Sequence, residues 1–371
     1  MNANHLFRYE NKLVMLLSLI FGFVIFDRMA LSYLVPFFDK ELGIDNTQIG
    51  LLTSSLALAW ATSGYLMGSL SDRTGKRKQY LIIAVVIFSI CSFFSGLAAS
   101  FTFLLLARTI MGFAEGPVLP LAQSIMVDAS TEKRRGFNMG FTQGFGSNLL
   151  AMLAPIALVA IATNFGWRYA FFIAGVPGLV LATLGLLYIK ENEQVKVKVK
   201  KQKTCIAVLL KYRNVRVALL LSCCMMTCLA AQLTFMPKYL ISIKHLTDTE
   251  MGKTMSAFGL GSIIWGILVP ALSDKFGRKP LVIIFFFLSA LMPFGVIYAG
   301  KSFGSLSLLV LLGSSIMGCF PIVFATIPSE TLPRQYIAQT LGLVIGIGEL
   351  AGGVVAPLVA GWSADKFGLH T

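Results

Sequence analysis

The sequence contains few charged residues, and this scarcity limits the kind of protein it can encode. Of its 371 residues only 13% are charged and 56% are hydrophobic, whereas about a quarter of the residues in a typical soluble domain are charged. A soluble core could not bury so much apolar surface. The apolar residues come in blocks of about twenty, the length that a helix needs to cross a bilayer. The sequence therefore predicts an all-α membrane protein.

Residues that serve catalysis or metal binding are also scarce. The three histidines, His5, His245 and His370, lie outside the apolar blocks, which excludes a histidine proton relay within the membrane. The six cysteines lack the spacing of metal ligands, and no nucleophile and base motif or phosphate-binding loop is present. We expect no enzymatic activity, no metal and no cofactor.

The net charge of +14 does not indicate nucleic acid as a partner, because a nucleic-acid-binding protein gathers its basic residues on a solvated face. Here the basic residues lie in short connections between apolar blocks. With the N-terminus inside, most of them fall on the cytoplasmic side, as the positive-inside rule requires. We expect a multi-pass protein of the cytoplasmic (inner) membrane with its N-terminus in the cytoplasm.

The apolar blocks give eleven predicted spans. Six precede a polar stretch and five follow it. The predicted spans are 14–37, 49–70, 80–99, 103–127, 137–162, 169–189, 217–236, 254–272, 281–299, 306–327 and 341–360.

The polar stretch divides the chain into an N-terminal six-helix bundle at 1–190, a basic cytoplasmic linker at 191–216 and a C-terminal bundle at 217–371. The linker carries alternating lysines, and we interpret it as a solvated segment drawn to acidic lipid headgroups. The two halves repeat at an offset of 202 residues. Asp72 maps to Asp274, Gly75 to Gly277, and Asp128 to Glu330.

The repeat leaves one gap. The sixth span of the first half has no counterpart before the chain ends at Thr371. The sequence leaves open whether the twelfth helix is missing by truncation or the protein has eleven spans.

The segment Gly68–Lys78, with its partial copy at Asp274, resembles the loop signature of the major facilitator superfamily between the second and third spans. The resemblance implies two six-helix bundles that enclose a site near the bilayer midplane. It also implies a cytoplasmic gate, in which the aspartate caps a helix of the opposite half and basic residues pair across the seam. A basic turn that only sets orientation is the alternative. The gate residues would be Gly68, Asp72, Arg73, Gly75, Arg77, Lys78, Asp274, Gly277 and Arg278.

Four charged residues lie inside the predicted spans of the first half: Asp27 and Arg28 in the first span, and Arg108 and Glu115 in the fourth. Each costs roughly 2.5 to 3.5 kcal/mol to insert, so intramembrane charges indicate function by default. Arg108 and Glu115 are two helical turns apart and share one face. An anion that binds an arginine would release its acidic partner, which then takes up a proton more readily. A static salt-bridge network is the alternative.

The run from Phe26 to Pro36 resembles the first-span signature of the anion:cation symporter family, and the run from Arg108 to Pro120 is similar to that family's second signature. The resemblance implies that Asp27 and Glu115 bind the proton. It makes Arg28 and Arg108 partners of the substrate anion.

Several other polar or aromatic residues lie within the spans. Gln143 and Asn148, Trp60 and Gln232 could line a site for a hydroxylated anion, although packing alone would also explain them. Glu349 is a candidate third titrating acid, because no arginine is visible near it in the sequence of that half. It could instead line a water-filled cavity.

Together these features favour a secondary transporter that carries a small organic anion, such as a sugar acid or a similar carboxylate, with protons by alternating access. The proton gradient would supply the energy, and the partners would be the anion and the lipid bilayer. We expect a monomer. One alternative is a proton-driven antiporter that exports an amphiphile or drug, and another is a non-transporting sensor or truncated remnant.

Overall fold

The computed structural model of the protein describes residues 3–132, 134–190, 206–332 and 334–369. Helices dominate these residues, which confirms the prediction of an all-α membrane protein. Ten of the described helical segments are long and apolar enough to cross a membrane. The second predicted span, 49–70, falls on the 29-residue helix α2, which is not among those ten.

The first half of the chain forms seven helices up to Tyr188, most of them long. They are α1 (Ala3–Leu42), α2 (Asn46–Thr74), α3 (Arg77–Gly96), α4 (Phe101–Glu115), α5 (Val118–Ala129), α6 (Arg135–Phe165) and α7 (Trp167–Tyr188).

The second half begins with the short helix α8 (Ile206–Leu209) and continues with the long helices α9 (Arg213–Ser242) and α10 (Asp248–Phe276). Each of the three later spans combines α-helical pieces with one π-helical turn. Their pieces are α11 (Arg278–Ser289), a π-helix at Leu291–Gly295 and α12 (Val296–Tyr298); α13 (Phe303–Gly313), α14 (Ile316–Pro321), a π-helix at Ile322–Thr326 and α15 (Ile327–Thr331); and α16 (Arg334–Glu349), a π-helix at Leu350–Val355 and α17 (Ala356–Phe367).

The fourth predicted span, 103–127, is not one continuous helix. It breaks between α4 and α5 at Gly116 and Pro117. Proline has no backbone N–H to donate to the preceding turn, so a helix bends or breaks where proline lies inside it. The turn comes directly after Glu115, which is the last residue of α4, and the backbone of Gly116 and Pro117 keeps helical angles, so Phe101–Ala129 still forms one spanning segment.

The chain divides into two compact units. The first contains residues 1–44 and 55–199, and the second contains 45–54 and 200–371. Helix α2 belongs to both units, because its first residues, up to Ser54, group with the second unit and the remainder groups with the first. The core of the first unit is built from aliphatic and aromatic side chains such as Leu17, Phe88 and Met111.

Helices α1 and α6 pack closely in the first unit because glycine lies where they meet. A Cβ atom added to Gly146 would lie 1.9 Å from the backbone oxygen of Ser18, and one added to Gly22 would lie 2.6 Å from the Gly146 backbone. The Ser18 hydroxyl accepts a hydrogen bond from the Gly146 amide at 2.9 Å and donates one to the Phe141 carbonyl at 3.1 Å. Small residues let helix backbones approach each other in this way.

In the second unit, side chains tie helices to neighbouring backbones. The Trp265 indole of α10 donates to the Leu311 carbonyl of α13 at 2.8 Å. The Lys244 ammonium donates to the carbonyls of Ile297 and Ala299 at 2.9 and 2.6 Å, at the end of α12. A cation at a helix C-terminus satisfies carbonyls that have no partner within the helix.

Candidate functional site

Three of the four charged residues predicted within the spans of the first half are fully buried inside the first unit. Asp27 and Arg108 have no exposed surface, and Glu115 is 1% exposed. Charged side chains are almost never buried to this degree unless they are paired. Asp27 lies in α1, and Arg108 and Glu115 lie in α4. Arg108 interacts electrostatically with Asp27 and with Glu115, so these three residues share one buried region.

Asp27 is held by a serine that the sequence analysis did not identify. The Ser92 hydroxyl of α3 donates to Asp27 Oδ1 at 2.7 Å, and the same hydroxyl lies 2.9 Å from the Phe171 carbonyl oxygen. Asp27 Oδ2 is buried and has no hydrogen-bond partner within the described residues. One carboxyl oxygen is thus oriented, and the other is available for a further partner.

The Arg108 side chain contacts the backbone of Asp27 in α1 rather than the Asp27 carboxylate. Its Nη1 donates to the Asp27 carbonyl oxygen at 3.3 Å and lies 3.3 Å from Met111 Sδ. The guanidinium carbon lies 4.7 Å from the centroid of the Phe171 ring, a distance at which the aromatic face attracts a cation. Phe171 is a second contact that no pattern in the sequence indicates.

No described residue accepts a hydrogen bond from the opposite edge of the Arg108 guanidinium. Its Nε and Nη2 are buried without a hydrogen-bond partner there. These two N–H groups lie side by side in the planar fork that binds both oxygens of a carboxylate. The edge therefore has the geometry of an anion site.

Glu115 is the most weakly hydrogen-bonded member of the cluster. Both of its carboxyl oxygens are buried and accept no hydrogen bond from a described residue. Asp27, Arg28 and Arg108 all act on it electrostatically. Burying an ionised carboxyl without donors is costly, and a protonated carboxyl avoids much of that cost. Among the described residues, no ion pair within 4 Å joins Asp27 or Glu115 to Arg108.

Arg28 and Trp60 form a second contact near this cluster. The Arg28 guanidinium carbon lies 5.4 Å from the centroid of the Trp60 ring, and both residues are half-buried. A tryptophan face binds a guanidinium well. The sequence proposed both residues as part of the site, and the structure places them together.

The amide residues of α6 are more accessible. Gln143 is exposed and accepts a hydrogen bond from Gln123 Nε2 of α5 at 3.1 Å, while Asn148 is half-buried. No pattern in the sequence distinguishes Gln123. These residues belong to the first unit, and they remain predicted substrate contacts.

Two candidates lie in the second unit. Gln232 of α9 is half-buried, and its amide donates to Cys228 Sγ at 3.0 Å. Glu349 is half-buried at the end of α16, directly before the π-helix at Leu350–Val355. π-Helical turns occur often at functional sites. The roles of both residues remain predictions.

The predicted gate residues form ion pairs within each unit. Arg77 bonds Asp128 at 2.6 Å, and Arg278 bonds Glu330 at 2.9 Å and also Asp274. Gly75 and Gly277 adopt φ angles of 73° and 91°, which favour glycine. The side chains of Asp72 and Arg73 fall outside the described residues, and Gly68 lies within α2. The capping of an opposite helix by Asp72 therefore remains a prediction.

Two curated transporters are similar to part of the chain. The hexuronate transporter of Bacillus subtilis (strain 168) is 32% identical over 191 residues, which make up 51% of this chain and 45% of that protein. The probable L-galactonate transporter of Escherichia coli (strain K12) is 34% identical over 182 residues, or 48% of this chain and 40% of that protein. The aligned parts span less than half the length of either relative.

The fold is also that of a solved transporter. The crystal structure of a bacterial homologue of the human lysosomal transporter Spinster, in an inward-facing and unoccupied conformation, matches with a TM-score of 0.83. The match covers 97% of this chain and 83% of that chain at 20% sequence identity. Finally, the family model of the Major Facilitator Superfamily matches residues 17–357. Since that match covers most of the sequence, the chain belongs to the Major Facilitator Superfamily of membrane transporters.

Proposed function

We propose that the protein carries a small organic anion, such as a sugar acid, together with protons by alternating access. The observation that carries this proposal is the buried cluster of Asp27, Arg108 and Glu115. In this cluster two acids and an arginine lie within electrostatic range, yet no ion pair closes between them. The relatives named for hexuronate and L-galactonate support an anionic sugar derivative as the substrate class.

The substrate step begins at Arg108. Its Nε and Nη2 edge fits one carboxylate of the substrate through two parallel hydrogen bonds. Because Arg108 has no exposed surface, neighbouring side chains must move before an anion reaches that edge. Alternating access supplies this opening, as the two bundles of such transporters rock around a central site.

The proton step follows from the charge balance. Asp27 and Glu115 carry two negative charges when ionised, and Arg28 and Arg108 carry two positive charges. An anion that binds Arg108 adds one negative charge to a buried site, and a proton on Glu115 restores neutrality. A buried site with no net charge costs less free energy in a low-dielectric environment than a buried site with a net charge. Substrate and proton therefore enter together.

Transport assays in proteoliposomes test this function. Hexuronates, hexonates, aldarates and aromatic acids would be offered as radiolabelled substrates, with and without an inward pH gradient. We expect uptake of at least one sugar acid, stimulated when the outside is acidified. The same assay with an imposed Na⁺ gradient at equal pH serves as the control for the coupling ion. An uptake rate that is independent of pH would contradict proton coupling, and failure to move any of these acids would contradict the substrate class.

A further inference from the structure

Each unit contains a basic cavity at the ends of its helices that the predicted topology places in the cytoplasm. The first-unit pocket has a volume of about 240 Å³ and is lined by Arg77, Lys78, Asp128 and Lys190, among others. The second-unit pocket has a volume of about 640 Å³, and its charged lining residues are Arg213, Arg278, Lys279 and Glu330. Neither pocket belongs to the buried cluster around Arg108.

The two pockets are related by the internal repeat. Arg77, Ile125 and Asp128 line the first-unit pocket, and the residues 202 positions later, Lys279, Ile327 and Glu330, line the second-unit pocket. In both pockets the acid forms an ion pair with an arginine. Asp128 pairs with Arg77, and Glu330 pairs with Arg278. Equivalent helix ends, at α3 and α11 and at α5 and α15, thus contribute to both cavities, although the arginine that bonds Glu330, Arg278, maps to Lys76 rather than to Arg77.

Among the described residues that line each pocket, three are basic and one is acidic, so each lining carries excess positive charge. In the second-unit pocket Arg278 also bonds Asp274. In the first-unit pocket the remaining lysines contact neutral groups. Lys78 donates to the Leu186 carbonyl at 2.8 Å, and Lys190 lies 5.3 Å from the centroid of the Tyr9 ring. An anion in the pocket would compensate charge that the described lining residues leave unbalanced.

A helix begins beside each pocket without a capping side chain. Helix α3 begins at Arg77 and α11 begins at Arg278, and neither has an acidic residue in its first turn or a side-chain hydrogen bond at its N-cap. The first N–H groups of a helix favour a bound phosphate or other anion. The helix N-terminus therefore adds to the attraction that the basic side chains exert.

The apolar walls of the second-unit pocket indicate where such an anion comes from. Ile283 and Phe287 line it and are 45% and 74% exposed. In a chain that spans a membrane, exposed apolar side chains contact lipid. A ligand with an anionic head and an apolar tail would match both the basic and the apolar parts of the wall.

We propose that these two pockets bind the phosphate of anionic phospholipid headgroups in the cytoplasmic leaflet. Basic pockets between membrane helices on this side suit such headgroups. The lysines and arginines bind the phosphate, and the adjacent apolar side chains contact the acyl chains. One lipid per unit would anchor the cytoplasmic end of each helical bundle to the inner leaflet.

Lipid titration of the full chain, followed by native mass spectrometry, tests this proposal. The probes are phosphatidylglycerol and the zwitterionic phosphatidylcholine. The first variant carries Lys78→Gln with Lys190→Gln, and the second carries Arg213→Gln with Lys279→Gln. Both leave the Arg77–Asp128 and Arg278–Glu330 ion pairs intact. The control variant carries Arg135→Gln with Lys301→Gln, which removes the same charge outside both pockets.

We expect the affinity for phosphatidylglycerol to fall about fivefold for each cation removed from a pocket, with little change for phosphatidylcholine and for the control variant. Restoring charge with Lys78→Arg and Lys190→Arg should restore the affinity, which separates lost binding from misfolding. Equal affinities of the wild type for the two lipids, or an equal loss in the control variant, would overturn the proposal.

Inorganic phosphate and glycerol 3-phosphate form a separate arm. If either bound as tightly as phosphatidylglycerol with the same variant dependence, the site would be one for soluble phosphate and the lipid assignment would be wrong.

Discussion

At the scale of single residues, the cluster in the first unit separates two kinds of carboxyl. Asp27 is oriented by the Ser92 hydroxyl at 2.7 Å, whereas Glu115 accepts no hydrogen bond from a described residue. A group that exchanges protons during transport must change partners at low cost, and a carboxyl without hydrogen bonds has none to break. Glu115 is therefore the better candidate for the proton that moves, and Asp27 for the positioning of the site.

The variant Glu115→Gln tests this assignment. Glutamine keeps the size of the side chain and resembles a permanently protonated glutamate. We expect uptake driven by a pH gradient to fall by at least tenfold, while exchange of substrate at equal pH is retained. Both rates would be measured in proteoliposomes. Glu132→Gln, which changes an exposed acid in the α5–α6 connection, is the matched control and should behave as the wild type. Loss of exchange and uptake together in a stably folded Glu115→Gln protein would contradict the assignment.

At the scale of helices, glycine positions in α6 show where packing controls stability. Gly146 lies against the Ser18 backbone, but a Cβ atom added to Gly140 of the same helix would meet no atom of a described residue within 4 Å. A backbone contact cannot move aside as the end of a flexible side chain can. The two glycines, six residues apart, therefore form a natural matched pair.

The variant Gly146→Ala should destabilise the protein, because its methyl group would force α1 and α6 apart. Overpacking of this kind costs about 1–3 kcal/mol, which should lower Tm by several degrees. Gly140→Ala should leave Tm unchanged or raise it, since alanine is the better helix former. Thermal unfolding in detergent, followed with a thiol-reactive dye, measures both. Equal Tm values for the two variants would show that the α1–α6 contact is looser than the structure indicates.

The start of α2 is capped by two different acids, both within the second unit. Asp365 of α17 accepts hydrogen bonds from the backbone amides of Asn46 and Thr47 at 3.0 and 2.7 Å, and from both of their side chains. Asp45 accepts one from the Gln48 amide at 2.7 Å. Three of the first N–H groups of α2 thus have side-chain acceptors, which would otherwise be missing at a helix N-terminus.

Replacing Asp365 with alanine should loosen the first two of these amides and not the third. Loss of a capping acid costs about 0.5–2 kcal/mol, so hydrogen exchange at Asn46 and Thr47 should accelerate by roughly two- to thirtyfold. Gln48 keeps Asp45 and serves as the internal control. Residue-resolved hydrogen exchange would measure all three amides. Lys366→Ala, a change at the neighbouring position, should have no such effect. Uniform acceleration along α2 would contradict a local cap.

The sequence predicted the helices and the repeated acidic positions, but it did not predict the individual contacts of the buried charged residues. The blocks of apolar residues gave the helices, and the 202-residue repeat marked Asp128 and Glu330 as equivalents before the structure showed each bonded to an arginine. Ser92 and Phe171 could not be found, because a serine or phenylalanine in an apolar span has no distinguishing pattern. The sequence also suggested that Arg108 would pair with an acid. Its actual contacts, a backbone carbonyl and an aromatic face, depend on the path of neighbouring helices.

At the scale of the whole molecule, the orientation in the membrane remains a prediction that rests on basic loops. Basic residues near the ends of spans favour the cytoplasmic side, and this places Thr131 inside and Lys301 outside. Both are exposed and lie in connections between helical segments. The lipid proposal and the direction of proton-driven uptake both depend on this orientation.

Labelling of single introduced cysteines tests the orientation directly. In a background with the native cysteines replaced, a membrane-impermeant maleimide should label Lys301→Cys in intact cells and Thr131→Cys only after lysis, because the bilayer blocks the reagent. A cysteine at Arg135, which lies in the same predicted cytoplasmic connection, should behave as Thr131→Cys does. The reverse pattern would place the basic pockets in the outer leaflet. It would also mean that the phospholipids proposed to bind them are those of the outer leaflet.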